Sequence, residues 1–314
     1  MNRKKWILIV TAAVMLLSCS SESEQVDMKR QLVELKLASS LEIQTRAYTL
    51  TQATQIASGE KVYAWVDEVG ASEYIHAWEL TADGAGNFSG TTQNYPVSGA
   101  AVNVYALHGN FTGITAGTTT FPTSLDHSVA ADQATNYAKS DLLCAKATNC
   151  ARQVAAHNLQ FSHLLSKVEV YLVSGTGMTD TELASATVKI LGTKPTTVVT
   201  LSKTATPIAT IGTASGTATD ITAKMSYDGT ATVTISSVAQ NAPALAEAVI
   251  VPQSINADFI QITVGTQTFT AQVNKTFDAG KKYVFNVLVN KSGLLLSSTI
   301  TDWDDGGTTV TNAK

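Results

Sequence analysis

The sequence predicts an all-β chain, and three observations carry that prediction. Threonine, serine, alanine, asparagine and glycine recur from Thr91 to the C-terminus, while charged residues make up only 15% of the 314. An average soluble chain carries about 25%. Threonine with valine and isoleucine favours pleated, half-buried strands. From Lys61 onward, short segments of alternating apolar and polar residues are separated by Gly, Asn and Asp turn signals, the pattern of β-sandwiches. A hydrophobic fraction of 44% supplies a core and excludes wholesale disorder. At roughly 100–200 residues per domain the length predicts two domains, with one large β domain as the alternative. A formal charge of −4 without a basic stripe excludes nucleic acid as a partner.

The first residues are an address. Arg3, Lys4 and Lys5 precede the apolar run Trp6–Leu17. Twelve residues are too few for a membrane helix, which needs about 20, so residues 1–18 read as a signal peptide. Leu16-Leu17-Ser18-Cys19 resembles the bacterial lipobox, which makes Cys19 the expected lipidated first residue of the mature chain. The acidic-serine stretch Ser20–Glu24 is similar to tethers that direct lipoproteins to the outer face of the outer membrane. Loss of residues 1–18 takes Lys+Arg from 21 to 18 against 25 Asp+Glu, a formal charge of −7. No later stretch has the length of a membrane helix, so lipid is the expected anchor. Outside the cytoplasm, Cys144 and Cys150 are left either to close a small disulfide loop or to remain thiols.

Gln31–Gln44 alternates strictly. Val33, Leu35, Leu37, Ser39, Leu41 and Ile43 lie on one face, and Glu34, Lys36, Ala38, Ser40, Glu42 and Gln44 on the other. Period two over a dozen residues predicts a strand with one apolar face. Thr45-Arg46-Ala47 follows, a junction suited to a trypsin-like protease. Alternation alone leaves two readings open: the first strand of the fold, or a propeptide strand that fills a groove until it is cut away. Val33, Leu35, Leu37, Leu41 and Ile43 are worth about 1.5–3 kcal/mol each when buried. An emptied groove would cost on the order of 10 kcal/mol and would need a replacement strand, with another subunit as the natural donor.

The body then reads as strands at Lys61–Val66, Tyr74–Leu80 and Val102–Leu107, with a turn at Asp83–Asn87. Phe111–Lys139 reads as loop with short strands, Asp141–Arg152 as a short helix carrying both cysteines, and Leu159–Val173 as one long strand. Further strands are expected at Thr187–Leu191, Thr197–Leu201, Ala231–Ile235, Leu245–Val251, Phe259–Val264, Thr268–Val273 and Tyr283–Val289. Asp228-Gly229 and Gly265-Thr266 have turn chemistry. A break between two β units is placed in Ala147–Ala156, giving expected units 47–155 and 156–314 after the signal peptide 1–18 and the tether and removable strand 19–46.

No GxSxG, HExxH, P-loop or dinucleotide fingerprint is present, so neither an enzyme nor a cofactor is expected. His157 and His163 share a strand parity but no third metal ligand accompanies them. Asp302-Trp303-Asp304-Asp305-Gly306-Gly307 lacks the distal Glu of a calcium loop. The segment Leu294–Trp303 places Leu294, Leu296 and Ile300 on one face. It is a candidate donor strand, with the last strand of the chain's own sheet as the alternative. Trp65, Trp78 and Tyr74 are candidates for an adhesive aromatic surface or for core.

Taken in order, five strings resemble the fimbrillin family, the lipoprotein pilins of Bacteroides-type bacteria. They are the lipobox Leu16–Cys19, the Thr45-Arg46-Ala47 junction, Phe161–Val168, Ala248–Gln253, and Phe277–Val287 followed by Ile300–Trp303. The resemblance implies two transthyretin-like, Greek-key β-sandwich domains in tandem. It implies export as a lipoprotein and cleavage after Arg46 by an arginine-specific or trypsin-like protease. Removal of the first strand and its replacement by a strand from a neighbouring pilin subunit would follow. The expected function is a structural subunit of surface fimbriae at the outer membrane. The alternative is a tip adhesin or monomeric surface lipoprotein recognising a host protein or glycan.

Overall fold

The structure is a computed structural model and describes residues 32–41, 55–227, 231–303 and 308–311. Cys19, Ile43, Arg46 and Ala47 lie outside these residues.

The chain is built almost wholly of strands, as its composition predicts. The first sheet has seven, in the order β1 (Leu37–Leu41), β9 (His157–His163), β8 (Leu143–Cys150), β5 (Val102–His108), β2 (Lys61–Glu68), β3 (Glu73–Ala82) and β4 (Phe88–Gly90). A six-stranded sheet runs β15 (Lys224–Ser226), β18 (Ala244–Ile250), β10 (Ser166–Ser174), β21 (Lys281–Asn290), β22 (Gly293–Asp302) and β23 (Thr308–Thr311). Two four-stranded sheets follow. One is β14 (Thr219–Thr222), β11 (Thr187–Thr193), β19 (Gln253–Val264) and β20 (Gln267–Phe277). The other is β13 (Ala209–Ile211), β12 (Thr196–Leu201), β7 (Ser124–Ser128) and β6 (Phe111–Thr112). The hairpin β16 (Ala231–Ile235) and β17 (Val238–Ala242) stands apart by pairing and packs Val233 and Ile235 with Tyr171, Val173 and Val284.

Alternation sorts side chains between two large clusters. In β2, Val62, Ala64 and Val66 enter the cluster inside the first sheet, while Trp65 enters the larger cluster shared with the other sheets. In β5, Val102, Val104 and Ala106 face the first and Tyr105 and Leu107 the second. Pairing crosses residue 155 in both directions of the fold: β9 joins β1 and β8 in the first sheet, β7 pairs with β12, and Asp132 bridges Thr222.

Two local expectations are corrected. The stretch 143–150 is a strand, paired to β5 from Leu143 to Cys150. The helix lies one step earlier, as α1 (Gln133–Ser140), inside the region read as loop. Its start is fixed by Asp132, whose side chain accepts from the Ala134 amide, a favoured cap. The long strand expected over Leu159–Val173 is also broken, at Leu164-Leu165. Both leucines are buried, which one straight strand facing a single core does not allow. The chain turns there from β9 in the first sheet to β10 in the six-stranded sheet.

Helix α1 is pinned at both ends. At its start, buried Gln133 donates from Nε2 to the Val249 carbonyl at 2.7 Å and accepts from the Val249 amide at 2.8 Å. At its end, His108 meets the Ala138 carbonyl at 2.9 Å and His127 the Ser140 carbonyl at 3.1 Å. A short second helix, α2 (Asp180–Leu183), carries a full capping box from Thr179 and Glu182. In β10, buried Lys167 bridges Glu169 at 2.9 Å and Glu247 at 2.7 Å, so that its charge is compensated.

Gln133→Ala would leave both Val249 backbone groups buried and unpaired. A loss of about 2–4 kcal/mol is expected, measurable by urea denaturation. Burial also pushes the His127 imidazole down to about 4. The unfolded chain takes up that proton near the ordinary value of about 6.5. Stability from His127 is thus full above pH 6.5 and drains away as pH falls towards 4, by about 2–3 kcal/mol. His127→Gln keeps a donor for Ser140 and should flatten that part of the stability–pH curve.

Candidate functional site

The first sheet curls until the segment carrying β1 joins its two ends. On one side β1 runs parallel to β9, from Leu37 opposite His157 to Leu41 opposite Phe161, and the His157 amide donates to the Lys36 carbonyl at 2.9 Å. On the other side the Leu35 amide donates to Gln93 at 2.8 Å, Val33 accepts from Tyr95 at 2.9 Å, and the Ser39 amide donates to Gly86 at 2.7 Å. The strand is therefore paired along both edges. Gly86, at φ +97°, permits this approach, because a Cβ there would lie 2.8 Å from Gln55 Oε1 and 3.0 Å from the Ser39 carbonyl.

Leu35, Leu37 and Leu41 are buried at 1%, 5% and 7% exposure, with Ser39 between them at 4%. Val33 is half-buried against the same cluster. Glu34 and Lys36 point to solvent and form an exposed ion pair at 3.5 Å. The walls of the groove include Val62, Ile75, Trp78, Tyr95, Leu159 and Phe161. At about 1.5–3 kcal/mol per fully buried side chain, the three leucines contribute on the order of 5–9 kcal/mol, an upper figure because an unfolded chain is itself partly compact. Ser39 Oγ has no hydrogen-bond partner among the described residues, so the slot between the leucines admits a small side chain without rewarding its hydroxyl.

β9 depends on this strand. It pairs with β8 at only two positions, Leu143 with His163 and Cys144 with Ser162. Over its first five residues its partner is β1. Asn158 Nδ2 adds a bond to Ser40 Oγ at 2.8 Å.

The C-terminal segment is held in the chain's own sheet. β22 pairs with β21 from Gly293 opposite Asn290 to Asp302 opposite Lys281, and with β23 on its other edge. Its seat is uneven. Leu294, Leu296 and Ile300 are half-buried and Leu295 is 46% exposed, whereas Trp303, just past the strand, is 2% exposed. Trp303 stacks on His163 at 3.9 Å and 13°, and its amide donates to Gly280 at 2.8 Å. His163 is itself fixed by Asp141, Nδ1 to Oδ2 at 2.7 Å. Burial pushes the Asp141 carboxyl upward, but the neighbouring His163 and its hydrogen bond outweigh that and hold it below its usual value.

Three expectations are settled by position. Cys144 and Cys150 lie six residues apart on one strand, each in register with β5. Some 20 Å separates them at strand rise, against the 4.4–6.8 Å between Cα atoms that a disulfide spans, so of the two alternatives the sequence left open the small loop does not close. Trp65 and Trp78 are core, with their indole N–H groups donating to the carbonyls of Thr119 at 2.8 Å and Thr91 at 2.9 Å. Tyr74 is half-buried and donates to Asn94 at 3.2 Å. His157 and His163 stand at opposite ends of β9, and His157 meets the Tyr95 hydroxyl at 2.6 Å. No group of three metal-ligating side chains occurs among the described residues, and no described helix is long and apolar enough to cross a membrane.

A family model described as fimbrillin-like matches residues 45–303. No curated protein matches the chain. Among solved structures, a candidate cell adhesion protein of Bacteroides uniformis ATCC 8492 is similar with TM-score 0.55 and 22% identity, over 86% of this chain and 99% of that one. Another, from Bacteroides ovatus ATCC 8483, gives TM-score 0.55 at 15% identity over 87% and 98%. At these identities the likeness is one of fold.

Trp303→Ala would empty a buried aromatic seat. It is expected to destabilise the protein by about 3–5 kcal/mol and to raise amide exchange in residues 294–302 most, as read by mass spectrometry. Trp303→Phe should recover part of both.

Proposed function

The chain belongs to the fimbrillin-like family, and on that premise we propose that it is a structural subunit of surface fimbriae assembled by strand exchange. Family membership supports a fimbrial or adhesive role at the cell surface, in association with other pilin subunits. The finer reading adds a route. Cys19 carries the lipid that anchors the exported chain at the outer membrane. An arginine-specific or trypsin-like protease then cuts between Arg46 and Ala47. The segment bearing β1 leaves, and a strand from another subunit enters the vacated groove. The proposed role is structural, without a catalytic step or a cofactor.

One observation carries this reading. Leu35, Leu37 and Leu41, five residues and more before Arg46, fill the interior of a sheet and are paired along both strand edges. A cut at Arg46 would leave them attached to the sheet by non-covalent contacts alone. An extended guest offering backbone hydrogen bonds and alternate side chains is the kind of ligand such a groove takes. The emptied groove would expose the apolar walls named above, a state that favours capture of a replacement.

A second reading has its own support: a tip subunit or monomeric surface lipoprotein that binds a host protein or glycan. β22 is seated in the chain's own sheet with Trp303 buried behind it, and a subunit that keeps its last strand donates none.

Limited trypsin digestion of the soluble chain beginning at Ser20 tests the first reading. It predicts a selective cut at Arg46–Ala47 by N-terminal mapping, loss of the segment ending at Arg46, and growth of oligomers on size exclusion. A clean cut that leaves a monomer favours the second reading. Resistance at Arg46 contradicts the protease-triggered route.

A further inference from the structure

Three loops close the end of the first sheet where β2, β5, β8 and β9 bring together Glu68, Val102, Cys150 and His157. They are 69–72, 95–101 and 151–156, and each carries one valine. Turn chemistry accounts for Gly70 and Gly99, at φ +83° and +77°, and for Pro96 and Ser98. It does not account for Val69, Val97 and Val154, since β-branched side chains belong in strands. Val97 and Val154 are each 76% exposed, and Val69 is 41% exposed. Leu32, where the described chain enters, is 64% exposed. Among the described residues these make up four of the eight exposed large apolar side chains. Scattered singly they would mean little, whereas gathered at one end they mark a contact surface.

The loops are tied to one another, so the valines stay outside. The Val69 amide donates to the Ala101 carbonyl at 2.9 Å, and the Tyr95 hydroxyl to the Ala151 carbonyl at 3.0 Å. The Tyr95 amide donates to the Val33 carbonyl at 2.9 Å, which sets Leu32 beside the same loops. The three loops carry no carboxylate and one charge, Arg152. Glu68, at the rim, accepts from Ser98 Oγ at 2.5 Å. In sequence, Lys29 and Arg30 come just before Leu32. An apolar patch with basic neighbours in an acidic chain suits the headgroup–acyl boundary of a membrane.

We infer that this end of the first sheet is the face on which the uncut, lipid-bearing chain sits on its membrane. Leu32, Val69, Val97 and Val154 enter the boundary between headgroups and acyl chains. This rests on the lipoprotein route proposed above and deepens it, by giving the anchored subunit an orientation. Residues 20–31 separate Cys19 from Leu32. Twelve residues of flexible chain span about 20 Å on average and at most about 40 Å, so the lipid keeps this end near the bilayer. β1 then leads away from the membrane, since Leu32 to Leu41 is about 30 Å at strand rise. Arg46 follows Leu41 by five residues, a reach of at most about 18 Å, so the junction cannot return to the patch. A seated subunit offers Arg46 to a soluble protease on its far side.

Fluorescence quenching tests this on the lipid-bearing full chain, reconstituted in vesicles of phosphatidylethanolamine and phosphatidylglycerol. One of Val97→Cys, Val154→Cys, Val198→Cys and Val238→Cys is introduced at a time and labelled with an environment-sensitive dye, the native Cys144 and Cys150 being buried. Val198 and Val238 are exposed valines of the second half, at 49% and 54%. Spin-labelled lipids should quench dyes at positions 97 and 154 at least about fivefold more than dyes at positions 198 and 238. Equal quenching at all four, or stronger quenching at 198 or 238, would overturn the inference. A dye response that follows protein density and ignores the spin-labelled lipid would assign the face to a second copy, and overturn it too. A mature chain whose intact mass shows no lipid on Cys19 would instead sink the lipoprotein route, and this inference with it. As an independent arm, Val97→Asp with Val154→Asp alters exposed positions and should leave Tm within about 2 °C. It should weaken quenching of a dye at Val69→Cys about fivefold or more, and unchanged quenching would overturn the proposal.

Discussion

Leu35, Leu37 and Leu41 fill the inside of a sheet whose two ends are bridged by the backbone pairing of the strand that carries them. The arrangement of the N-terminal half follows from that constraint. β9 needs β1 because β8 supports it at two positions only. Val62, Ala64, Val66, Tyr95 and Phe161 are buried in one cluster with the three leucines. The strand is at once core and terminal segment, and the chain's numbering puts a basic, protease-type junction a few residues beyond it. Under the proposed cleavage at Arg46, the fold would lose a core element worth several kcal/mol.

The C-terminal strand has the opposite character. It is fully paired along β21, yet its apolar side chains are only half used, and its deepest anchor is one indole stacked on one imidazole. Asp141 holds that imidazole, and Asp141 follows directly on the helix whose start is tied to Val249. The anchor thus joins β9, helix α1 and the C-terminal strand at one place. The strand is thus held by its backbone pairing along its length and by a buried aromatic anchor just past its end.

How much of this is legible in the sequence depends on the range of the interaction. The all-β class is legible because alternation and turn chemistry are local. So is the inward face of β1, where aliphatics alternate with Glu34 and Lys36. The strand at 143–150 is not, because Leu-Cys-Ala-Lys-Ala-Thr-Asn-Cys has a single β-branched residue and is held extended by β5, some forty residues earlier. The sheet change at Leu164-Leu165 is hidden inside a stretch, Leu159–Val173, that carries no Gly or Pro to mark the turn. His163 and Trp303 meet across 140 positions, a contact no local pattern announces. The cysteines mislead for a similar reason: close spacing suggests a loop only if the chain between them folds back, and here it runs straight.

The central claim is that the strand before Arg46 is a separable piece of core that a guest strand can replace. Calorimetry of the trypsin-cut chain, before and after addition of a synthetic peptide spanning Leu32–Gln44, addresses it most directly. The account predicts that loss of the segment lowers Tm by about 10 °C or more, and that the peptide restores most of it. A peptide with Leu37 and Leu41 both changed to Ser should fail to do so. An unchanged Tm once the segment has left, or equal rescue by both peptides, would contradict it.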